Sequence, residues 1–169
     1  DRDAGTGSYN YTITTPWKLG IGAAYEIGGA RIAADFEYVD WSQMELDSED
    51  YNFADENVAI TRGLDAVTNA RLSVSYDVNK SLVLRGGMAF YSDPHATKVD
   101  AGGIEIDRDR KFISAGFGYK IGKSIRADFA WMGESFEDKY QVYTDVTDAP
   151  YVTEEVLRSR VQLGVTFGF

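Results

Sequence analysis

Alternation of apolar and polar residues with a period of two runs through most of this chain, and it limits the fold more than any other feature. Between residues 17 and 27, Trp17, Leu19, Ile21, Ala23, Tyr25 and Ile27 fall on one face, and Lys18, Gly20, Gly22, Ala24 and Glu26 on the other. The same pattern recurs over 31–46, 70–78, 82–91, 113–121, 125–131 and 157–169. Side chains alternate sides only in extended backbone, so the pattern predicts about seven strands, and no stretch shows the spacing of an amphipathic helix. The chain is expected to be all-β.

Composition narrows what those strands build. At 169 residues with 44% hydrophobic and 14% aromatic content, the chain can form one domain and is not expected to be disordered. No apolar run approaches the roughly 20 residues of a spanning helix. The mean hydropathy of −0.31 would suggest a soluble protein. A barrel strand, however, dilutes its lipid face with a polar lumen face and escapes that measure. The absence of cysteine excludes disulfides and thiolate-bound zinc, and a net charge of −10 argues against a nucleic-acid partner. Because the first residue is Asp1, the chain is expected to be a fragment or a processed product.

The connections alternate too. Gly28-Gly29, Asn79-Lys80 and Gly122-Lys123 make minimal turns, whereas 47–64, 93–108 and 144–153 are long and polar. Short turns on one rim and long loops on the other are the pattern of an outer-membrane barrel, with the long loops extracellular. The polar strand positions include Arg71, Asp77, Arg85, Arg126, Asp128, Arg158 and Arg160. An Arg or Lys at mid-bilayer would cost roughly 2 to 4 kcal/mol, so these residues are expected to face the lumen. A lipocalin-like soluble barrel would have to enclose Trp17, Phe36, Phe117 and Phe129, more bulk than a small lumen holds. Tyr25, Tyr76, Tyr119 and Phe169 read as a periplasmic aromatic girdle, with ordinary cross-strand packing the alternative for some of them.

The chain ends Gln162-Leu163-Gly164-Val165-Thr166-Phe167-Gly168-Phe169, which resembles the terminal assembly signal of bacterial outer-membrane barrels. Gln162, Gly164, Phe167 and Phe169 carry it and point to the barrel-assembly machinery as a partner. Closure in lipid normally takes an even number of strands. Residues 8–15 offer a short eighth, but Pro16 makes the required turn too abrupt. The reading is therefore one antiparallel transmembrane β-barrel domain seen in part, with 1–14 a lead-in and 15–169 the strands. Its missing half is expected upstream.

Three segments then resemble the FadL/TodX family of outer-membrane transporters for long-chain fatty acids and other hydrophobic compounds. They are Asp40-Trp41-Ser42-Gln43, the span from Arg85 to Pro94, and Asp109-Arg110 followed by Ser114-Ala115-Gly116 and Tyr119. The resemblance implies the C-terminal half of a barrel of about 14 strands, with a hatch and a lateral opening in the upstream half. It implies passive uptake of a hydrophobic ligand and a place in the Gram-negative outer membrane, against lipid and lipopolysaccharide. No cofactor or catalysis is implied. Arg62 lies near a basic ligand contact of the family without matching it, and a solvated loop arginine is the plainer reading. The single histidine, His95, has no zinc or general-base pattern around it, and the acidic loops lack an EF-hand's ligand order. The rival reading is a small structural or adhesive barrel that acts through its extracellular loops.

Overall fold

A computed structural model describes residues 10–98, 107–141 and 151–168. The elements are β1 (Thr12–Thr14), β2 (Lys18–Ile27), β3 (Ala30–Asp40), a 3-10 turn (Trp41–Gln43), β4 (Glu45–Asp47), α1 (Ala54–Gly63), β5 (Ala66–Asp77), β6 (Leu82–Tyr91), β7 (Arg110–Ile121), β8 (Ile125–Gln141) and β9 (Tyr151–Phe167). Seven strands form one sheet in the order β2-β3-β5-β6-β7-β8-β9. Every pairing in it is antiparallel. The sheet is an up-and-down meander that stays open: among the described residues, β2 and β9 each pair on one side only.

Turn chemistry sets the register. Gly28 and Gly29 have φ of 57° and 83°, the left-handed conformation of a two-residue hairpin, and they place Ile27 opposite Ala30. From there the apolar positions line up across the sheet: Tyr25 opposite Ile32, Ile32 opposite Val74, and further along Leu84 opposite Phe117 and Phe129 opposite Leu163. One side of the sheet is thus continuously apolar and the other carries the charge.

A soluble domain of this size would bury most of its apolar side chains. Here only Val39 and Val67 are buried hydrophobic residues among those described, while Leu163 is 81% exposed, Ile21 73% and Tyr25 67%. An apolar face of this extent in water would be an aggregation surface; in a bilayer it is the solvent contact. Strands β2, β3, β5, β6 and β7, at 10 to 12 residues, are as long as a tilted transmembrane strand needs to be.

Several expectations are corrected. The segment 47–64 is not a plain loop, because it contains α1. Asp55 and Glu56 in the first turn and Arg62 in the last complement the helix dipole. Strand β3 does not run to residue 46. The Asp40 carboxylate accepts from the Ser42 amide and hydroxyl and from Gln43 Nε2, turning the chain before β4. The 8–15 segment does yield a strand, yet β1 pairs with β4 in a separate two-stranded sheet and adds nothing to the wall. Strands β8 and β9 have 17 residues each and reach past the predicted limits of 131 and 157. Of the predicted loops, 99–106 and 144–150 lie outside the described residues, and 151–153 belong to β9 instead.

Candidate functional site

The charged face of the sheet is organised in two belts. Toward the long-loop ends, Arg71 Nε lies 2.7 Å from Asp35 Oδ1 and its Nη2 lies 3.8 Å from Glu37 Oε2. Asn69 Nδ2 donates to the other Glu37 oxygen at 3.0 Å. The Arg71 guanidinium also stacks 5.6 Å over the Tyr91 ring, which meets Phe112 edge-on at 5.4 Å. Further along, Glu134 lies between Arg110 at 3.7 Å and Arg158 at 3.9 Å, and both arginines cover the Phe136 ring. Guanidinium groups on aromatic faces hold cationic heads in place on a surface that remains partly apolar.

Toward the short turns, Arg85 and Arg126 converge on one oxygen. Arg85 Nη1 and Arg126 Nη2 each donate to Asp128 Oδ1 at 2.9 Å, and Arg126 Nε adds a contact at 3.1 Å. Gly118 makes room for them. A Cβ there would sit 2.7 Å from Asp128 Oδ1 and 2.9 Å from Arg126 Nη2, so the cluster lies directly on bare backbone. Beside it Arg31 pairs with Glu26. Between the belts, Ala33, Ser73, Gly87 and Ser114 stand opposite one another on successive strands. Over this row opens a largely apolar cavity of about 370 Å³, and it runs on past Arg31, Ser75 and Arg85 into a polar one of about 520 Å³.

The long-loop rim is tied by a different cluster. Asp93, 6% exposed, accepts from His95 Nδ1 at 2.5 Å and from the His95 amide at 3.1 Å. Lys98 Nζ and Arg108 Nη1 lie 3.5 and 3.8 Å from its second oxygen. Burial works to raise the Asp93 pKa, but the His95 hydrogen bonds and the His95 and Lys98 charges outweigh it and hold the carboxyl below its ordinary value. The backbone joins in: Asp65 donates to Pro94 O at 2.7 Å and Ala96 to Gly63 O at 2.9 Å.

Of the residues singled out from sequence, Arg71, Arg85, Arg126, Asp128 and Arg158 meet in the two belts, and Asp77 lines the polar cavity. Arg160 stands opposite Met132 with no ion pair among the described residues. Arg62 is not on the sheet; it is exposed in the last turn of α1. Gln162, Gly164 and Phe167 lie in β9, opposite Ala130, Asp128 and Ile125. Phe169 is outside the described residues. Sequence reading put Asp35, Glu37 and Tyr91 on the polar face without pairing them to Arg71, and missed Asn69, Glu134, Phe112 and Phe136, since pairing across strands requires a register that period two alone does not supply.

The sequence profile of the outer membrane protein transport family (OMPP1/FadL/TodX) matches residues 5–163. The chain belongs to this family. A curated relative, alkane uptake protein A of Marinobacter nauticus, is 23% identical over 133 residues, covering 73% of this chain and 29% of the relative. A crystal structure of a Pseudomonas aeruginosa FadL homologue superposes with a TM-score of 0.55 at 16% identity, over 89% of this chain and 34% of that one. The match to the P. aeruginosa structure agrees with the fold: the open seven-stranded sheet is part of a FadL-type barrel. This family member thus spans about a third of the length of the proteins it matches. The family is one of outer membrane transport proteins.

Proposed function

We propose that this chain forms the C-terminal wall of a barrel that lets hydrophobic small molecules diffuse across the outer membrane of a Gram-negative bacterium. Alkanes and long-chain acyl compounds are the ligand class. The observation that carries the reading is the division of one sheet into an apolar face, exposed and fit for lipid, and a charged face with a partly apolar cavity. On this reading Arg71, Asp77, Arg85, Arg126, Asp128, Arg158 and Arg160 face the lumen, and the upstream half supplies the strands that pair with β2 and β9. The long loops then meet lipopolysaccharide, and Arg62 on α1 stands among them.

The test is uptake by an outer-membrane vesicle. Vesicles carrying both halves should accumulate a labelled long-chain alkane or acyl compound down its gradient without an energy source, and vesicles carrying either half alone should not. Accumulation that requires an ion gradient would rule out passive diffusion, and none at all would favour a barrel acting through its loops. Assembly is tested separately, because Gln162, Gly164, Phe167 and Phe169 are proposed as the signal that the assembly machinery reads. Deleting Phe169 from the full-length protein should reduce the heat-modifiable outer-membrane form, and undiminished assembly would remove that role.

A further inference from the structure

We propose that residues 92–98 form a strap across the long-loop mouth of the lumen, latched through Asp93 and tied to α1, and that its release admits the ligand. The proposal rests on the transport reading and adds to it a control point on entry.

The first observation is where the strap lies. Tyr91, Arg110 and Phe136 continue the charged face, in phase with Arg85, Ser114 and Asp128 on their strands. Residues 92–95 and Arg108 line one cavity of about 560 Å³ together with them. The strap therefore folds inward over the charged face instead of outward toward lipid. It also holds the loop above β3. Leu64 and His95 form an isolated antiparallel bridge, flanked by the bonds from the Asp65 amide to Pro94 O and from the Ala96 amide to Gly63 O. Helix α1, which buries no residue, ends at Gly63. Both long connections thus meet at the strap.

The second observation is what holds it. Of residues 92–98 only Asp93 is buried, so the strap is fastened by a charge and by no apolar anchor. A segment with so few buried apolar contacts belongs to the part of a fold that opens locally, from which lids are drawn. Around the Asp93 carboxylate stand His95 and Lys98 of the strap and Arg108 of the segment before β7, and Arg108 reaches on to Asp138 of β8 at 3.7 Å. Oδ1 takes the His95 bonds, whereas Oδ2 is buried without a hydrogen bond among the described residues, with Lys98 and Arg108 beyond bonding distance. One carboxylate answers three basic groups, so removing its charge unfastens the strap at a single point.

The experiment uses outer-membrane vesicles carrying both halves of the barrel, with labelled hexadecane as the probe. The amide bonds that flank Leu64 and His95 make them a non-hydrogen-bonded pair, whose Cα atoms lie about 4.5 Å apart, within the span of a disulfide. This chain has no cysteine of its own. Leu64→Cys/His95→Cys, assembled reduced and oxidised afterwards, should lock the strap: initial uptake should fall by about tenfold or more and return on reduction. Each single-cysteine variant should be indifferent to oxidant. Asp93→Asn should instead raise initial uptake, by up to about tenfold, the size of one lost charge-assisted hydrogen bond. Equal uptake by the oxidised and reduced double variant, with the disulfide confirmed by mass, overturns the proposal and leaves transport intact. Slowing of a single-cysteine variant by oxidant traces the effect away from the lock and overturns it too, as does a heat-modifiable Asp93→Asn barrel no faster than wild type. Because the lock is made after assembly, it reads the strap even if Asp93→Asn fails to assemble. A wild type that takes up no hexadecane overturns the transport reading and leaves the strap nothing to admit.

Discussion

Trp131 donates its indole N–H to Ser159 Oγ at 2.7 Å across the β8–β9 pair, on the apolar face of the sheet. The ring leans over Gly133, where a Cβ would lie 3.1 Å from the indole. Between Ile125 and Trp131 this face carries only apolar side chains. Beyond Ser159 it becomes polar, with Ser135 opposite Leu157 and Glu137 opposite Glu155. The tryptophan therefore sits at the upper boundary of the apolar band, with its polar end turned toward the boundary and satisfied within the wall. That is where an amphipathic ring belongs in an interface.

Removing the acceptor should expose that arrangement. Ser159→Ala leaves an indole N–H unpaired and should cost about 1 to 3 kcal/mol in lipid, whereas Trp131→Phe in the same background should recover part of the loss. Urea unfolding of the reconstituted barrel, read as a double-mutant cycle, gives the coupling. If the two substitutions simply add, the hydrogen bond contributes nothing.

The two faces make a second prediction. Leu84 and Phe117 stand directly opposite each other on the apolar face, and Ser73 and Ser114 flank Gly87 on the charged one. Leu84→Arg and Phe117→Arg should each destabilise the barrel by roughly 2 to 4 kcal/mol near mid-bilayer, and Ser73→Arg or Ser114→Arg by clearly less. Similar penalties on both faces would show that lipid does not meet the apolar side alone.

Much of the wall was legible without coordinates, and the reasons for the misses are physical. The reading of 82–91 coincides with β6, and that of 17–27 differs from β2 by one residue, because there a bilayer on one side enforces strict alternation. The pattern fades in the upper parts of β8 and β9, where Glu137 faces Glu155 and Asp138 faces Glu154. Both faces meet water at that height, and nothing selects for a period. Helix α1 stayed hidden because it buries no residue and its N-cap, Phe53, offers no side-chain hydrogen bond. The polar face was identifiable as a set, but which arginine meets which carboxylate follows from register. Arg85 and Asp128 are 43 positions apart in sequence.

The rim cluster predicts an acid-sensitive loop. Asp93 has a lowered pKa when folded, so its stabilisation is complete above the ordinary carboxylate range and is lost as pH falls through the folded value. The chain has no cysteine, and Thr97 is exposed, so a Thr97→Cys nitroxide reports on this segment alone. Its spectrum should be that of an ordered loop at pH 7 and should grow more mobile as pH falls through and below the ordinary carboxylate range, and in Asp93→Asn it should be mobile throughout. An Asp93→Asn label as ordered at pH 7 as the wild type would mean that His95, Lys98 and Arg108 do not hold the loop through Asp93.

The open edges carry the last prediction. Among the described residues, β2 and β9 each present one unpaired edge, and in hydrocarbon every unsatisfied backbone group costs several kcal/mol. With 10 residues in β2 and 17 in β9, the two edges together outweigh the marginal stability of a folded domain. This chain alone in lipid should therefore associate edge to edge or fail to insert. Co-expression with the upstream half should produce a monomeric closed barrel that resists heat in detergent. Cross-linking from single cysteines on the unpaired edges of β2 and β9 separates the cases: bonds to the upstream half support the shared barrel, and bonds between β2 and β9 of one chain would mean that these strands close by themselves.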